Sequence, residues 1–92
     1  MITIHKYKLA VTERQTLQLP EGAEILSVQT QRGEACLWAM VDTQVVTEPR
    51  VIEIFGTGYP IHQDMGVSRE FLNTFQIEEL GLVFHAFERT GV

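Results

Sequence analysis

Residues 24–41, which read EILSVQTQRGEACLWAMV, decide the fold of this chain. They contain two runs rich in β-forming residues, separated by Arg32 and Gly33. A two-residue loop that ends in glycine is typical of a tight hairpin, because glycine adopts positive φ without strain. We therefore predict that residues 24–31 and 34–41 pair as antiparallel strands. The second run is apolar on both faces, which indicates a central strand covered on both sides.

Outside this hairpin, the chain consists of short β-rich runs between turn residues, which is typical of a β-sandwich or small barrel. Residues 42–49 are polar and are predicted to form a loop, and residues 65–73 allow one helical turn that Ser68 would cap. We predict an all-β single domain over residues 1–92, a small antiparallel two-layer sandwich or flattened barrel of six to seven strands. The further strands are predicted at residues 2–9, 16–19, 50–55, 70–77 and 82–88. The predicted core, with alternate-face neighbours left open, is Leu26, Val28, Leu37, Ala39, Ile52, Ile54, Phe75, Val83 and Phe87.

Composition limits the partners that the chain can bind. Hydrophobic residues make up 45% of the 92 residues, too many for a disordered protein. Seven Lys and Arg against twelve Asp and Glu give a net charge of −5. This balance argues against general nucleic-acid binding, which needs a basic face to neutralise phosphates. It leaves a small anionic ligand open, because two or three arginines in one pocket suffice.

The cellular compartment is predicted from the cysteine and the apolar runs. The single cysteine, Cys36, lies in an apolar run and is expected to be a small buried hydrophobic residue, so that no disulfide forms within the chain. The first residues are too polar for a signal peptide. No apolar run approaches the roughly 20 residues that span a bilayer. The sequence therefore predicts a cytoplasmic protein that does not bind membranes.

Catalytic and metal-binding motifs are weak in this sequence. The three histidines lack the close spacing of a zinc site, and the two serines lack the nucleophile-elbow pattern. His85 lies in an apolar strand and is expected to be hydrogen-bonded and half-buried. His62 and Asp64 are close enough in sequence for acid–base chemistry, although such loop pairs are common. We predict no enzyme activity, no metal and no cofactor.

Six residues are candidates for ligand contacts. Arg32, Arg50 and Arg69 are candidate anion contacts, although each is also interpretable as a solvated surface residue. The glycine-rich residues 56–58 precede Tyr59 and Pro60 and favour a strand-ending turn over a phosphate loop. In the alternative interpretation, a ligand approaches this backbone and stacks on Tyr59. The candidate ligand-binding residues are Arg32, Arg50, Tyr59, Arg69, Trp38 and His62.

Trp38 and its strand also bear on self-association. The tryptophan is interpretable either as core packing or as a residue of the second sheet face, at an interface or under a ligand. A chain of 92 residues has difficulty covering both faces of one sheet. Because symmetric pairs are the commonest solution to that problem, we predict a homodimer or a higher homo-oligomer.

Several segments together resemble a family of short, uncharacterised phage and prophage proteins. They are MITIHKY at residues 1–7, LPxGAxILSVQ at residues 19–29, CLWA at residues 36–39, GTGxPI at residues 56–61, TFQ at residues 74–76 and LVFHxFE at residues 82–88. The resemblance implies phage origin and carries over no catalytic residue. Small phage proteins often act in the infected cell by stoichiometric binding. We therefore expect a non-catalytic intracellular binder, either a counter-defence inhibitor of a host immune protein or a sponge for a nucleotide-type signal. The alternative is a minor structural or assembly protein of the phage particle.

Overall fold

The computed structural model describes residues 1–62 and 66–91 and is all-β. Two antiparallel sheets face each other, which confirms the predicted two-layer fold, and the sandwich does not close into a barrel. Sheet A has the strand order β1-β4-β3, and sheet B has the order β2-β5-β7-β6. The strands are β1 Ile2–Lys8, β2 Gln15–Pro20, β3 Glu24–Gln31, β4 Glu34–Asp42, β5 Thr47–Gly56, β6 Ser68–Ile77 and β7 Leu82–Gly91, with a 3₁₀ turn at Glu78–Leu80.

The predicted hairpin joins β3 and β4. Gln31 pairs with Glu34, and the two residues between them have φ values of 52° for Arg32 and 79° for Gly33. Two consecutive left-handed residues form the turn whose twist matches that of the flanking strands. Strand β4 is central in sheet A, with β1 on its other side, as its apolar sequence predicts. The expected cover on both faces is wrong, because sheet B covers only one face and Met40 on the other face is 39% exposed.

The core lies between the two sheets, and most of the predicted core residues are buried in it. Leu26 is an exception, because a bulge between Ile25 and Ser27 adds a residue to β3 and leaves Leu26 exposed. In β7, the core side carries Phe84 and Ala86, so that the alternate face was the correct one there. The predicted core residues that the structure confirms are Val28, Leu37, Ala39, Ile52, Ile54 and Phe75.

Two predictions of local structure are wrong. The loop predicted over residues 42–49 is only a four-residue turn, since β4 extends through Asp42 and β5 begins at Thr47. The helical turn suggested within residues 65–73 is also absent from the described part of that segment, where Ser68 begins strand β6. Backbone pairing with β7 extends β6 toward its first residue, and this pairing outweighs the local capping signal.

One side of the sandwich is closed by side chains. The Asn73 amide, on β6, accepts a hydrogen bond from the Val28 backbone N–H at 2.7 Å and donates one to the Val28 carbonyl. The Thr30 hydroxyl donates to the Gln76 carbonyl at 2.5 Å. These bonds connect β3 to β6 and fix the orientation of sheet A relative to sheet B. In the described residues, no helix is long and apolar enough to cross a membrane.

Candidate functional site

Arg50 lies between the two sheets, near the end of the sandwich at which the β2–β3 turn connects sheet B to sheet A. Its guanidinium pairs with the Glu88 carboxylate through Nε and through Nη2, the latter at 2.9 Å from Oε1. Nη1 donates to the Ala23 carbonyl at 2.8 Å. The hydrogen bond with Glu88 raises the pKa of Arg50 above its usual value, against the opposing effect of burial. Arg50 therefore stays charged, and its donors are already engaged within the chain.

Arg69 and His62 are the two predicted site residues that the structure brings together. Arg69, on β6, donates from Nε to Glu53 Oε1 at 2.6 Å and from Nη2 to the His62 carbonyl at 3.1 Å. Its guanidinium lies 5.7 Å from the centroid of the Phe55 ring, a cation–π geometry. Asp64, the acid that would complete a pair with His62, lies outside the described residues.

A small cavity surrounds Arg69 on the outer face of sheet B. It has a volume of about 150 Å³, and we call it the arginine cavity. Two of its arginines were not identified from the sequence: Arg14 from the β1–β2 connection and Arg89 from the end of β7. The cavity is lined by Glu13, Arg14, Glu53, Phe55, His62, Arg69 and Arg89.

The other predicted site residues are dispersed. Arg32 is exposed at the hairpin tip, and Tyr59 is exposed after β5, with its ring against Gly56. Trp38 is half-buried on the outer face of sheet A, as the second interpretation of this residue predicts. These three residues and Arg50 therefore do not share one pocket with Arg69.

Several large apolar side chains are exposed on the outer face of sheet A. Ile4 lies directly opposite Met40, and Trp38 lies two residues before Met40 on the same face of β4. The exposed fractions are 64% for Ile2, 55% for Ile4, 46% for Leu26 and 39% for Met40. We call this surface the docking face, defined by Ile2, Ile4, Leu26, Trp38 and Met40.

Charged residues occupy the two ends of the docking face. Lys6 and Lys8 lie toward the hairpin tip, where Lys8 pairs with Glu34 at 3.0 Å. Glu24 and Asp42 lie at the opposite end. Glu34 offsets one of the two lysines, and the N-terminal ammonium lies 3.6 Å from Asp42. The face therefore has an apolar centre between an end with a net excess of basic groups and an end with a net excess of carboxylates.

The surroundings of His85 and Cys36 indicate that both residues have structural roles. The His85 ring is hydrogen-bonded to the Thr57 hydroxyl at 2.7 Å and to the Thr74 hydroxyl at 2.9 Å, which confirms the expected half-buried histidine. Cys36 is buried, as expected. Within residues 1–62 and 66–91, no cluster of three His, Cys, Asp or Glu side chains is placed to hold a metal ion.

Comparison with known proteins gives one result. A family model described as a domain of unknown function, DUF7352, matches residues 1–92. No curated protein and no solved structure matches the chain. The geometry of the docking face and of the arginine cavity is therefore the basis for any functional interpretation.

Proposed function

We propose that this chain, which belongs to the DUF7352 family of domains of unknown function, is a non-catalytic binding protein that docks a protein partner on its docking face. The observation that supports this function is the exposure of four large apolar side chains around Trp38. Contiguous apolar patches on small soluble proteins mark sites of association. Tryptophan is also among the residues most enriched at the energetic centres of protein interfaces.

The backbone under the docking face is held rigidly. Strand β4 is hydrogen-bonded on both sides, and Trp38 lies between Lys6 of β1 and Ser27 of β3. A surface that is ordered before association loses little conformational entropy when it binds. The docking face therefore suits a partner with a complementary apolar surface better than a flexible peptide that must order itself.

The identity of the partner is the finer part of the proposal. The sequence resemblance to phage proteins supports a phage origin, action in the cytoplasm of an infected cell, and a host immune protein as the partner. Such a partner would be inhibited by stoichiometric capture, which needs no catalytic residue.

Capture from a host-cell lysate tests this function. We expect the wild-type protein to retain a partner in stoichiometric amount and the Ile4→Lys variant to lose it, because a charge at the centre of an apolar interface is left desolvated. Val46→Lys is the matched control, since Val46 is 74% exposed but lies in the β4–β5 turn. Retention of the partner by Ile4→Lys would contradict the proposed surface.

The free chain is expected to pair with itself through the same face until the partner displaces the second copy. A two-fold axis that runs across the strands places the basic end of one copy against the acidic end of the other, so the face is self-complementary. Light scattering of the wild type should give about twice the chain mass of 10.5 kDa. Ile4→Lys should give the mass of one chain, and Val46→Lys should remain paired. A wild-type mass of one chain at micromolar concentration would refute the pairing.

A further inference from the structure

The arginine cavity lies on the opposite side of the molecule from the docking face and is not needed for it. Arg69 of β6 and Arg89 of β7 are directly opposite each other in the strand register, on the outer face of sheet B. Like charges in this cross-strand position repel and destabilise a sheet unless an anion lies between them. The register of β6 and β7 therefore creates a place where negative charge is favourable.

Glu53 supplies part of that negative charge. One carboxylate oxygen lies 2.6 Å from Arg69 Nε, and the other lies 3.7 Å from Arg89 Nη1. The Glu53 side chain is 4% exposed, and the two arginine side chains are 14% and 15% exposed. One carboxylate thus forms ion pairs with two guanidinium groups in a largely buried environment, where charge interactions are stronger than in water.

Arg14 and Glu13 complete the charges that line the cavity. Among the lining residues that the structure describes, three guanidinium groups face two carboxylates, which leaves a net positive charge. The whole chain, in contrast, has a net charge of −5. Three of its five arginines thus line a single cavity in an otherwise acidic protein.

Arg89 has donor capacity to offer a ligand. Its distance of 3.7 Å from Glu53 is too long for a hydrogen bond. The Arg89 side chain lines the arginine cavity and retains 15% of its surface exposed. Arg69 is held in place through Nε and Nη2 by Glu53 and the His62 carbonyl, and by the face of Phe55. Nη1 of Arg69 and the planar guanidinium of Arg89 are donors that match the oxygens of a tetrahedral anion.

We propose that the arginine cavity binds the phosphate group of a small phosphorylated molecule, with Arg14, Arg69 and Arg89 as its ligands. The cavity volume of about 150 Å³ accommodates a phosphate group. The remainder of the ligand lies outside the cavity, beside the exposed His62.

Calorimetric titration at constant ionic strength tests this site. The probes are inorganic phosphate, glucose 6-phosphate and adenosine 5′-monophosphate, each against a chloride control. We expect saturable binding that Arg14→Gln weakens about 10–100-fold, as expected for the loss of a charge-assisted hydrogen bond. Arg14 is exposed, so this variant should fold normally. Arg32→Gln, which removes an exposed arginine at the hairpin tip, should bind like the wild type.

Two further comparisons make the result decisive. Arg89→Lys keeps the charge but removes the planar pair of donors, and it should weaken binding to a similar extent. Equal affinity for the three probes assigns the site to the phosphate group alone, and tighter binding of one ester identifies the larger ligand class. Absence of saturable heat up to about 10 mM for all three probes would overturn the proposal. Equal weakening by Arg32→Gln and Arg14→Gln would do so as well. Ile4→Lys should leave phosphate binding unchanged, so this test does not depend on the docking face.

Discussion

Replacement of Leu37 by alanine is expected to lower the free energy of unfolding by about 2–5 kcal/mol, the range for a large-to-small change in a rigid core. Leu37 is fully buried in the middle of the central strand β4, opposite Val28 on one side and Tyr7 on the other. These neighbours are fixed by two strand ladders and cannot collapse into the space left behind. The change is large against the ~5–15 kcal/mol that stabilises a small domain. Urea denaturation should show a lower midpoint with an unchanged slope.

A leucine outside the core provides the control for this measurement. Leu80 is 64% exposed in the 3₁₀ turn between β6 and β7. Leu80→Ala should change the free energy of unfolding by no more than about 0.5 kcal/mol, as is usual for exposed positions. Similar losses at Leu37 and Leu80 would contradict the assignment of β4 as the centre of the core.

The hairpin and the central strand were predictable because their signals are local. Gly33 and the β-rich runs on either side of it determine both the turn type and the pairing of neighbouring residues. The two apolar faces of residues 35–41 then follow from alternation alone, since successive side chains of a strand point to opposite sides. One of these faces is the core, and the other, with Trp38, is the docking face.

Alternation failed where a strand contains an extra residue. The bulge at Leu26 in β3 and the irregularity between Phe71 and Asn73 in β6 both shift the alternation of inward and outward side chains. No residue in the local sequence indicates either irregularity. In β7, both faces are apolar, so alternation could not decide which face is the core. The role of Asn73 was also not predictable from local sequence, because its hydrogen bonds to Val28 join residues 45 positions apart.

The arginine cavity was only partly predictable for the same reason. The sequence indicates Arg69 as a candidate anion contact, but its partner Glu53 lies 16 residues earlier, on another strand. Arg89 ends an apolar strand, and nothing in its local sequence distinguishes it. Its alternation with Phe87 and His85 would have placed it on the outer face of sheet B, but only the register with β6 shows that it faces Arg69.

Arg50→Met is expected to destabilise the fold by up to about 3–5 kcal/mol, the upper range for a fully buried ion pair, because it removes one partner of a partly buried pair and leaves the other charge unpaired. The unpaired group is Glu88, whose side chain is 10% exposed. The raised pKa of Arg50 means that its contribution is fully present below the usual arginine value and is lost only as the pH rises above it. The loss of folding stability in Arg50→Met is therefore expected at every pH in the neutral range. Chemical denaturation of Arg50→Met and of Arg32→Met, the exposed control, measures it.

The double variant Arg50→Met/Glu88→Leu separates an unpaired charge from lost packing. Replacing both members of a buried ion pair by apolar residues is often neutral or stabilising. We therefore expect the double variant to recover most of the stability that Arg50→Met loses, although the Ala23 carbonyl still lacks its donor. If the double variant is as unstable as Arg50→Met, the guanidinium acts mainly through Ala23, where it links the β2–β3 turn to sheet B. A small loss for Arg50→Met itself would instead mean that water reaches Glu88 at this end of the sandwich.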